Sequence, residues 1–549
     1  MVSHSITRRD ILTAFLGTTL ASVACRRRAV VPEGDLVFAS ESLGHRIRDH
    51  REGVLPELSA NQWEEVGIAI VGAGVAGLAA ARALKRADYH DFVVLDLESQ
   101  VGGTARGGRG VAGAYPWGAH YITAPMKENA ELIAFLKELD LVEGTSADGS
   151  PMFRETALCR EPQERLFAEG VWQWGLFPQR FATDEDRDQL ARFRGLMESF
   201  AARRDSRGRR AFAVPMDQSS EDSEFTSLDQ QSMASWLLAQ GLDSPRLHWF
   251  VDYACRDDFG THAKHTSAWA GIHYYASRLR GLGSEPQPIL TWPEGNAHLV
   301  QGLARDLGTH FRLGLGALDV RVVARHDRAE ADVVAIGSGN LARGFRAKRV
   351  IFAAPQFLAK RIVRDLRESK APPGNGFEYG AWMVANITLR ERPRLHRVQG
   401  TRMAWDNVIY DSPGLGYVVA SHQKGRDHGA TTLTYYYPLC DENPNEARRR
   451  LFAAGRDDWA DVALADLETV HPDIRSLATR VDVVRWGHAL AKPRPGFLFG
   501  PDRRRASIPN GPIHFAHSDL SGIALFEEAF SRGQRAGTEA LQLLRGQGA

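Results

Sequence analysis

The chain has 549 residues, 43% hydrophobic and 25% charged, with a formal net charge of +1. That length suits two or three domains, with ample apolar material for their cores. A near-neutral balance, with no basic stripe carrying interleaved aromatics, speaks against nucleic acid as a partner.

Taken in chain order, Thr7-Arg8-Arg9-Asp10-Ile11-Leu12 precedes a mildly apolar run from Thr13 to Ala24. Residues 1–30 read as a twin-arginine export signal, because a membrane span would need about 20 apolar residues. Such export carries folded proteins, so a periplasmic enzyme is the expectation. Cys25 closes the segment in Ser22-Val23-Ala24-Cys25. These small residues suit ordinary signal cleavage and equally lipid attachment at Cys25, which would anchor the protein to a membrane, although Ser22 stands where a lipobox usually has Leu. Cys159, Cys255 and Cys440 are widely spaced, with no Cys-x-x-Cys pattern. Buried free thiols are expected there, with no metal centre and no disulfide framework.

Residues 31–65 read as a polar tether with one short helix around Leu43 to Arg51. Gly67-Ile68-Ala69-Ile70-Val71 is a continuous apolar run, the pattern of a buried strand. A glycine turn, an alanine-rich helix from Val75 to Ala87 and a second strand, Phe92-Val93-Val94-Leu95, complete one parallel βαβ unit. Leu132, Phe135, Leu136 and Leu139 recur at helical spacing. Arg180 to Gln218 is rich in charge and reads as solvated helices or loops. Arg246 to Arg280 is dense in aromatics, which core packing explains. Arg349 to Pro355 is another buried strand, while Ala381 to Leu389 and Thr431 to Tyr437 suit a different sheet. Ile513 to Ala516 and Ala524 to Arg545 read as a last strand and a closing helix.

Gly72-Ala73-Gly74-Val75-Ala76-Gly77 lies between the first strand and its helix, the context such a turn requires. Gly72 permits the tight turn. Gly74 lets the backbone approach a pyrophosphate at the positive helix N-terminus, where Val75 and Ala76 follow, and Gly77 lets helix and strand pack closely. Asp96 ends the second strand about 20 residues on, placed to accept a ribose hydroxyl. This constellation marks a dinucleotide site but does not separate NAD from FAD.

Two further segments do. Asp96-Leu97-Glu98-Ser99-Gln100-Val101-Gly102-Gly103 resembles the acid and Gly-Gly turn of flavin-containing amine oxidases. Ile513-His514-Phe515-Ala516-His517-Ser518-Asp519, followed by Gly522, Ile523 and a helix, resembles that family's closing flavin motif. The resemblance implies FAD as cofactor, with Gly102, Gly103, Thr104 and Arg106 along the diphosphate. It also implies Asp519 on the ribityl chain, backbone N–H groups near Gly522 and Ile523 facing the ring, and the backbone of Val320 against the adenine. The implied fold is α/β, with a discontinuous Rossmann-like FAD-binding domain in residues 66–130, 291–370 and 501–549. A mixed α+β substrate domain would occupy residues 131–290 and 371–500.

Several positions depart from the family pattern. The aromatic cage positions fall on Leu525 and Leu498, and the lysine near the flavin falls on Ala385 or Asn386. Candidate catalytic groups are His517, Lys492 and Glu528, with Trp486 and His488 nearby, although each also reads as a structural side chain. The implied activity is hydride removal from a small organic substrate, an amine or otherwise, by an FAD-dependent oxidoreductase. Without the lysine, the electron acceptor is expected to be a quinone or cytochrome more than oxygen. Two alternatives stand beside this. A desaturase or isomerase of an apolar polyene would show a long apolar cavity without acids, and a non-catalytic flavoprotein would show a blocked flavin face.

Overall fold

The computed structural model describes residues 31–37, 41–49, 55–339, 341–369, 376–394, 402–440 and 443–546. Arg8, Arg9 and Cys25 lie outside them. The stretch read as a tether is part of the fold. Strand β1 (Leu36–Val37) and helix α1 (Glu41–Asp49) both pack, because Leu43 and Ile47 stand one helical turn apart and bury one face of α1.

The βαβ unit follows as β2 (Trp63–Val71), α2 (Val75–Arg86) and β3 (Phe92–Asp96). Strand β2 begins earlier than its apolar run because Trp63, Glu64 and Glu65 extend the pairing with a neighbouring strand. Helix α3 (Ala130–Glu138) buries Leu132, Phe135 and Leu136 as their spacing requires. Strands β4 (Glu164–Ala168) and β5 (Val171–Trp174) precede a helical region. Its charged first part is α4 (Asp184–Ala202), and its aromatic part is α5 (Pro245–Phe259) and α6 (Ala268–Ala276). Strands β6 (Phe311–Leu313), β7 (Gly316–Arg325), β8 (Arg328–Ile336) and β9 (Ala342–Phe352) come next. Then follow β10 (Tyr379–Leu389), β11 (Asp406–Ile409), β12 (Tyr417–Val419), β13 (Thr431–Pro438) and β14 (Ala478–Ala491). Strand β15 (Ile513–Phe515) and helix α7 (Phe526–Gly546) close the chain.

Among the described residues two large sheets form. One has the order β6-β3-β2-β9-β8-β7, with β15 also on β9, and its β2, β3, β6, β9 and β15 are mutually parallel. Helices α2 and α7 cover one face of it, and their glycines let them approach closely: a Cβ on Gly533 would lie 2.1 Å from the Ala76 carbonyl oxygen. The other sheet has the order β1-β14-β10-β13-β12-β11-β4-β5. Every residue of β10 and β13 is buried, since helices cover one face and the chamber described below the other. Cys159, Cys255 and Cys440 are buried, and Cys159 and Cys255 are free thiols.

Candidate active site

At the carboxyl ends of the parallel strands runs a cleft of about 1710 Å³. Gly72 closes the turn after β2 at φ +109°, and Gly74 caps α2 without using a side chain. The first N–H groups of α2 are thereby left for an anion in the cleft. Gly102 (φ +117°) and Gly103 (φ +58°) bring a second backbone segment alongside, with Gly102 N donating to the Ala73 carbonyl at 2.8 Å. Gly72, Gly74, Val75, Ala76, Gly102, Gly103 and Thr104 all line the cleft. Asp96 lines it too, with its carboxylate accepting from Ala73 N at 2.6 Å and Glu98 N at 2.8 Å. Glu98, which the motif reading passed over, lines the same wall.

Other sequence-derived positions stand one layer back. Gly77 packs on the turn itself, where a Cβ would lie 1.8 Å from the Gly72 oxygen. Arg106 is buried behind the diphosphate loop, donating to Gly103 O at 2.9 Å and pairing with Glu98 at 3.4 Å. Val320 is in the core, and the cleft beside β7 is lined instead by Leu315, Gly316 and Ala317. At the closing motif the lining residues are His517, Ser518 and Ala524 to Phe526. Gly522 packs against Leu498 and Phe497, and Ile523 joins the helical core. Asp519 is buried outside the cleft lining, accepting from Tyr379 Oη at 2.7 Å and Gln356 N at 2.9 Å. Burial opposes its ionisation, but His517 and these donors outweigh it and hold its pKa below the ordinary carboxylate value. Its position supports the turn.

Of the candidate catalytic groups only His517 lines a cavity, with its Nδ1 3.1 Å from the Asp519 carboxylate. Lys492 is buried away from both cavities described here, and burial lowers its pKa. Glu528 is also displaced: it accepts from Met216 N at 2.5 Å and so braces a loop. Trp486 and His488 do line the cleft. His488 stacks on Phe357 at 3.9 Å, and burial pushes its pKa down to about 3, leaving it neutral.

A second cavity, about 1030 Å³, adjoins the cleft. Thr104, Ala119, Trp486, Ala489, Leu525 and Phe526 border both, so the two communicate at the closing helix. Leu525 stands at this junction as its motif position implies, but Leu498 is in the helical core and Ala489 stands opposite in its place. Strand β10 turns Trp382 and Val384 toward the chamber, while Ala385 faces the opposite core. Asn386 is spent on the Pro116 carbonyl (2.9 Å) and the Thr434 hydroxyl (2.7 Å). Among the described residues no lysine lines either cavity.

The chamber walls are aromatic and acidic. Tyr121, Tyr274, Tyr436 and Trp382 surround Asp257, Asp258 and Glu527. Among the described residues Arg278 is the one Lys or Arg side chain in the lining; it pairs with Asp258 at 3.0 Å and stacks 3.9 Å over Tyr274. Burial, helped by the charge of Asp258, pushes the Asp257 pKa up to about 7, and burial does the same for Glu527. His120 and His273 are each driven down to about 4 by burial and stay neutral. Asn296, almost fully buried, spends its amide N–H on Tyr121 O at 2.9 Å and leaves its Oδ1 without a hydrogen-bond partner. Sequence reasoning missed these groups. The adjacent acids Asp257-Asp258, inside a helix otherwise read as aromatic core, were the available signal.

A family model described as flavin containing amine oxidoreductase matches residues 75–541. The chain belongs to this family. Flavin amine oxidoreductases of this fold bind FAD, and the glycine cradle and helix N-terminus of the cleft suit its pyrophosphate. Putrescine oxidase bound to putrescine is 18% identical, with a TM-score of 0.60, over 87% of this chain and 100% of that one. Cyclohexylamine oxidase from Brevibacterium oxydans IH-35A is 17% identical, with a TM-score of 0.59, over 88% and 100%. The CLA-producing fatty acid isomerase from P. acnes is 13% identical, with a TM-score of 0.56, over 88% and 99%. At such identities the likeness is one of fold. No curated protein matches the chain.

Proposed function

We propose that this FAD-dependent oxidoreductase oxidises a small cationic amine held in the acidic chamber. The observation that carries this reading is the pair of carboxyls without a fixed cationic partner, Asp257 and Glu527, in an aromatic enclosure next to the flavin cleft. Ionised, they attract an ammonium group, and the free Asn296 Oδ1 accepts one of its N–H bonds. One carboxylate then takes the ammonium proton, and the freed nitrogen lone pair becomes the C=N bond as hydride leaves the adjacent carbon. FAD supplies the two-electron acceptor for that hydride. Ala489 and Leu525 keep the junction apolar and dry, which strengthens these charges. An apolar polyene would gain nothing from buried acids, so the desaturase or isomerase reading is the weaker one.

The test is steady-state kinetics of Asp257→Asn and Glu527→Gln with a panel of primary alkylamines. Both acids titrate at about 7. Below that pH they are neutral, so kcat/KM should rise as pH increases through it. Asp257→Asn should lower kcat/KM about a hundredfold at high pH, the cost of removing one partner of a buried charge pair, and should weaken the acid limb. Unchanged profiles in both variants would sink the amine reading.

The Arg8-Arg9 pair supports export of the folded, FAD-loaded enzyme, with Cys25 as the site of cleavage or lipid attachment. Replacing both arginines by lysine should strand the enzyme in the cytoplasm on cell fractionation.

A further inference from the structure

We infer that residues 31–37 and 41–49 form a clasp that retains the FAD. Helix α1 covers the nucleotide end of the cleft: Gly44 and Ile47 line it together with Leu97, Leu315 and Gly316, next to the acids Asp96 and Glu98. Ile47 is seated tightly, since a Cβ on Gly316 would lie 2.5 Å from its Cδ1. Leu43 and Ile47 are both 9% exposed or less, and Arg46 donates to the Gly337 carbonyl at 3.0 Å. The helix therefore packs on the flavin-binding sheet and presents its own residues to the cofactor.

Its other anchor is on the second sheet. Strand β1 pairs in parallel with β14, Leu36 opposite Val483 and Val37 opposite Val484. Asp35 N donates to the Asp482 carboxylate at 2.8 Å, and Arg456 donates to the Pro32 carbonyl at 2.6 Å. Gly34 has no room for a side chain there: a Cβ would lie 1.9 Å from the Val481 oxygen. One short N-terminal segment thus ties the edge of one sheet to the nucleotide end of a cleft in the other. Because α1 sits over the adenosine end, FAD leaves only when this segment lifts. Unseating β1, which is remote from the cleft, should loosen the cofactor through α1.

The experiment follows FAD release from the full-length holoenzyme by the recovery of free-flavin fluorescence on dilution, well below the unfolding midpoint of each protein. Ile47→Ala removes cover at the cleft, and Gly34→Val displaces β1 without touching it. Both should raise the FAD dissociation rate about tenfold or more, with unchanged far-ultraviolet circular dichroism. Gly195→Ala, at a helical glycine of α4 with open space around it, is the control and should leave the rate at the wild-type value. A wild-type rate in either Ile47→Ala or Gly34→Val overturns the clasp.

Discussion

Gly74 and Gly77 belong to one turn yet serve different ends. At Gly74 the nearest atom to an added Cβ is Gly103 Cα at 4.0 Å, so a side chain fits the protein but occupies the space meant for the pyrophosphate. At Gly77 the added carbon meets the Gly72 oxygen at 1.8 Å, and the helix itself must move. Gly74→Val should therefore fold normally and purify colourless, with the unfolding midpoint of the apoprotein unchanged. Gly77→Ala should lose about 1–3 kcal/mol of stability, the usual cost of overpacking. Visible absorbance and thermal unfolding check both, and a yellow Gly74→Val protein would contradict the assigned role. The same distinction separates Asp96, which lines the cleft, from Asp519, whose carboxylate is used to hold its turn.

At the level of elements, the packing of α7 on α2 sets where the cofactor phosphates sit. Gly533 and Gly537 let the two helices nearly touch: added Cβ atoms would lie 2.1 Å from the Ala76 oxygen and 2.8 Å from the Ala80 oxygen. Backbone at that distance cannot give way as a flexible side chain can. Gly533→Ala should push α7 off α2, lower the unfolding midpoint and weaken FAD binding together, because the N-terminus of α2 shifts with it. Titration of the apoprotein with FAD alongside a thermal melt tests this, and loss of stability with full FAD affinity would show that the two helices move independently. Strand β10 shows a different elemental constraint. Its alternation sends Trp382 and Val384 to the chamber and Ala385 to the opposite core, so a one-residue error in register exchanges chamber for core.

Across the whole molecule, the cleft and the chamber meet at one junction, behind which Arg106 lies 5.5 Å over the Trp486 ring. His120, His273 and His488 are uncharged, Arg278 is paired with Asp258, and among the described residues no lysine lines either cavity. Electron transfer to oxygen is favoured by positive charge beside the flavin, and among the described residues the cleft lining offers neither lysine nor arginine for it. We propose on this basis a dehydrogenase that hands electrons to a quinone or cytochrome. Stopped-flow mixing of the photoreduced enzyme with air, and separately with an artificial quinone, should give much faster reoxidation by the quinone. Equal rates would make the protein an oxidase.

The amino-acid sequence alone determined the βαβ unit, its glycine turn, the acid after β3, the closing helix and the FAD cofactor. The first three are local, since a strand, a turn and a helix within about 30 residues carry their own pattern, whereas FAD follows from the resemblance of two distant segments to flavin-containing amine oxidases. Sequence also reached Leu525 and His517, because each sits inside a contiguous motif. Only the tertiary structure placed Asp257, Asp258, Glu527 and Asn296 around one chamber, since they come from three distant segments with no shared spacing. It likewise moved Lys492, Glu528 and Leu498 away from the cavities: Lys492 and Leu498 lie beyond the end of β14, where no local pattern records the chain's direction, and Glu528 is one helical step past Glu527 and so leaves the chamber side of α7. The segment read as a tether became a packed strand and helix for the same reason: Leu36, Leu43 and Ile47 are too few to look like a core until both sheets are there to receive them.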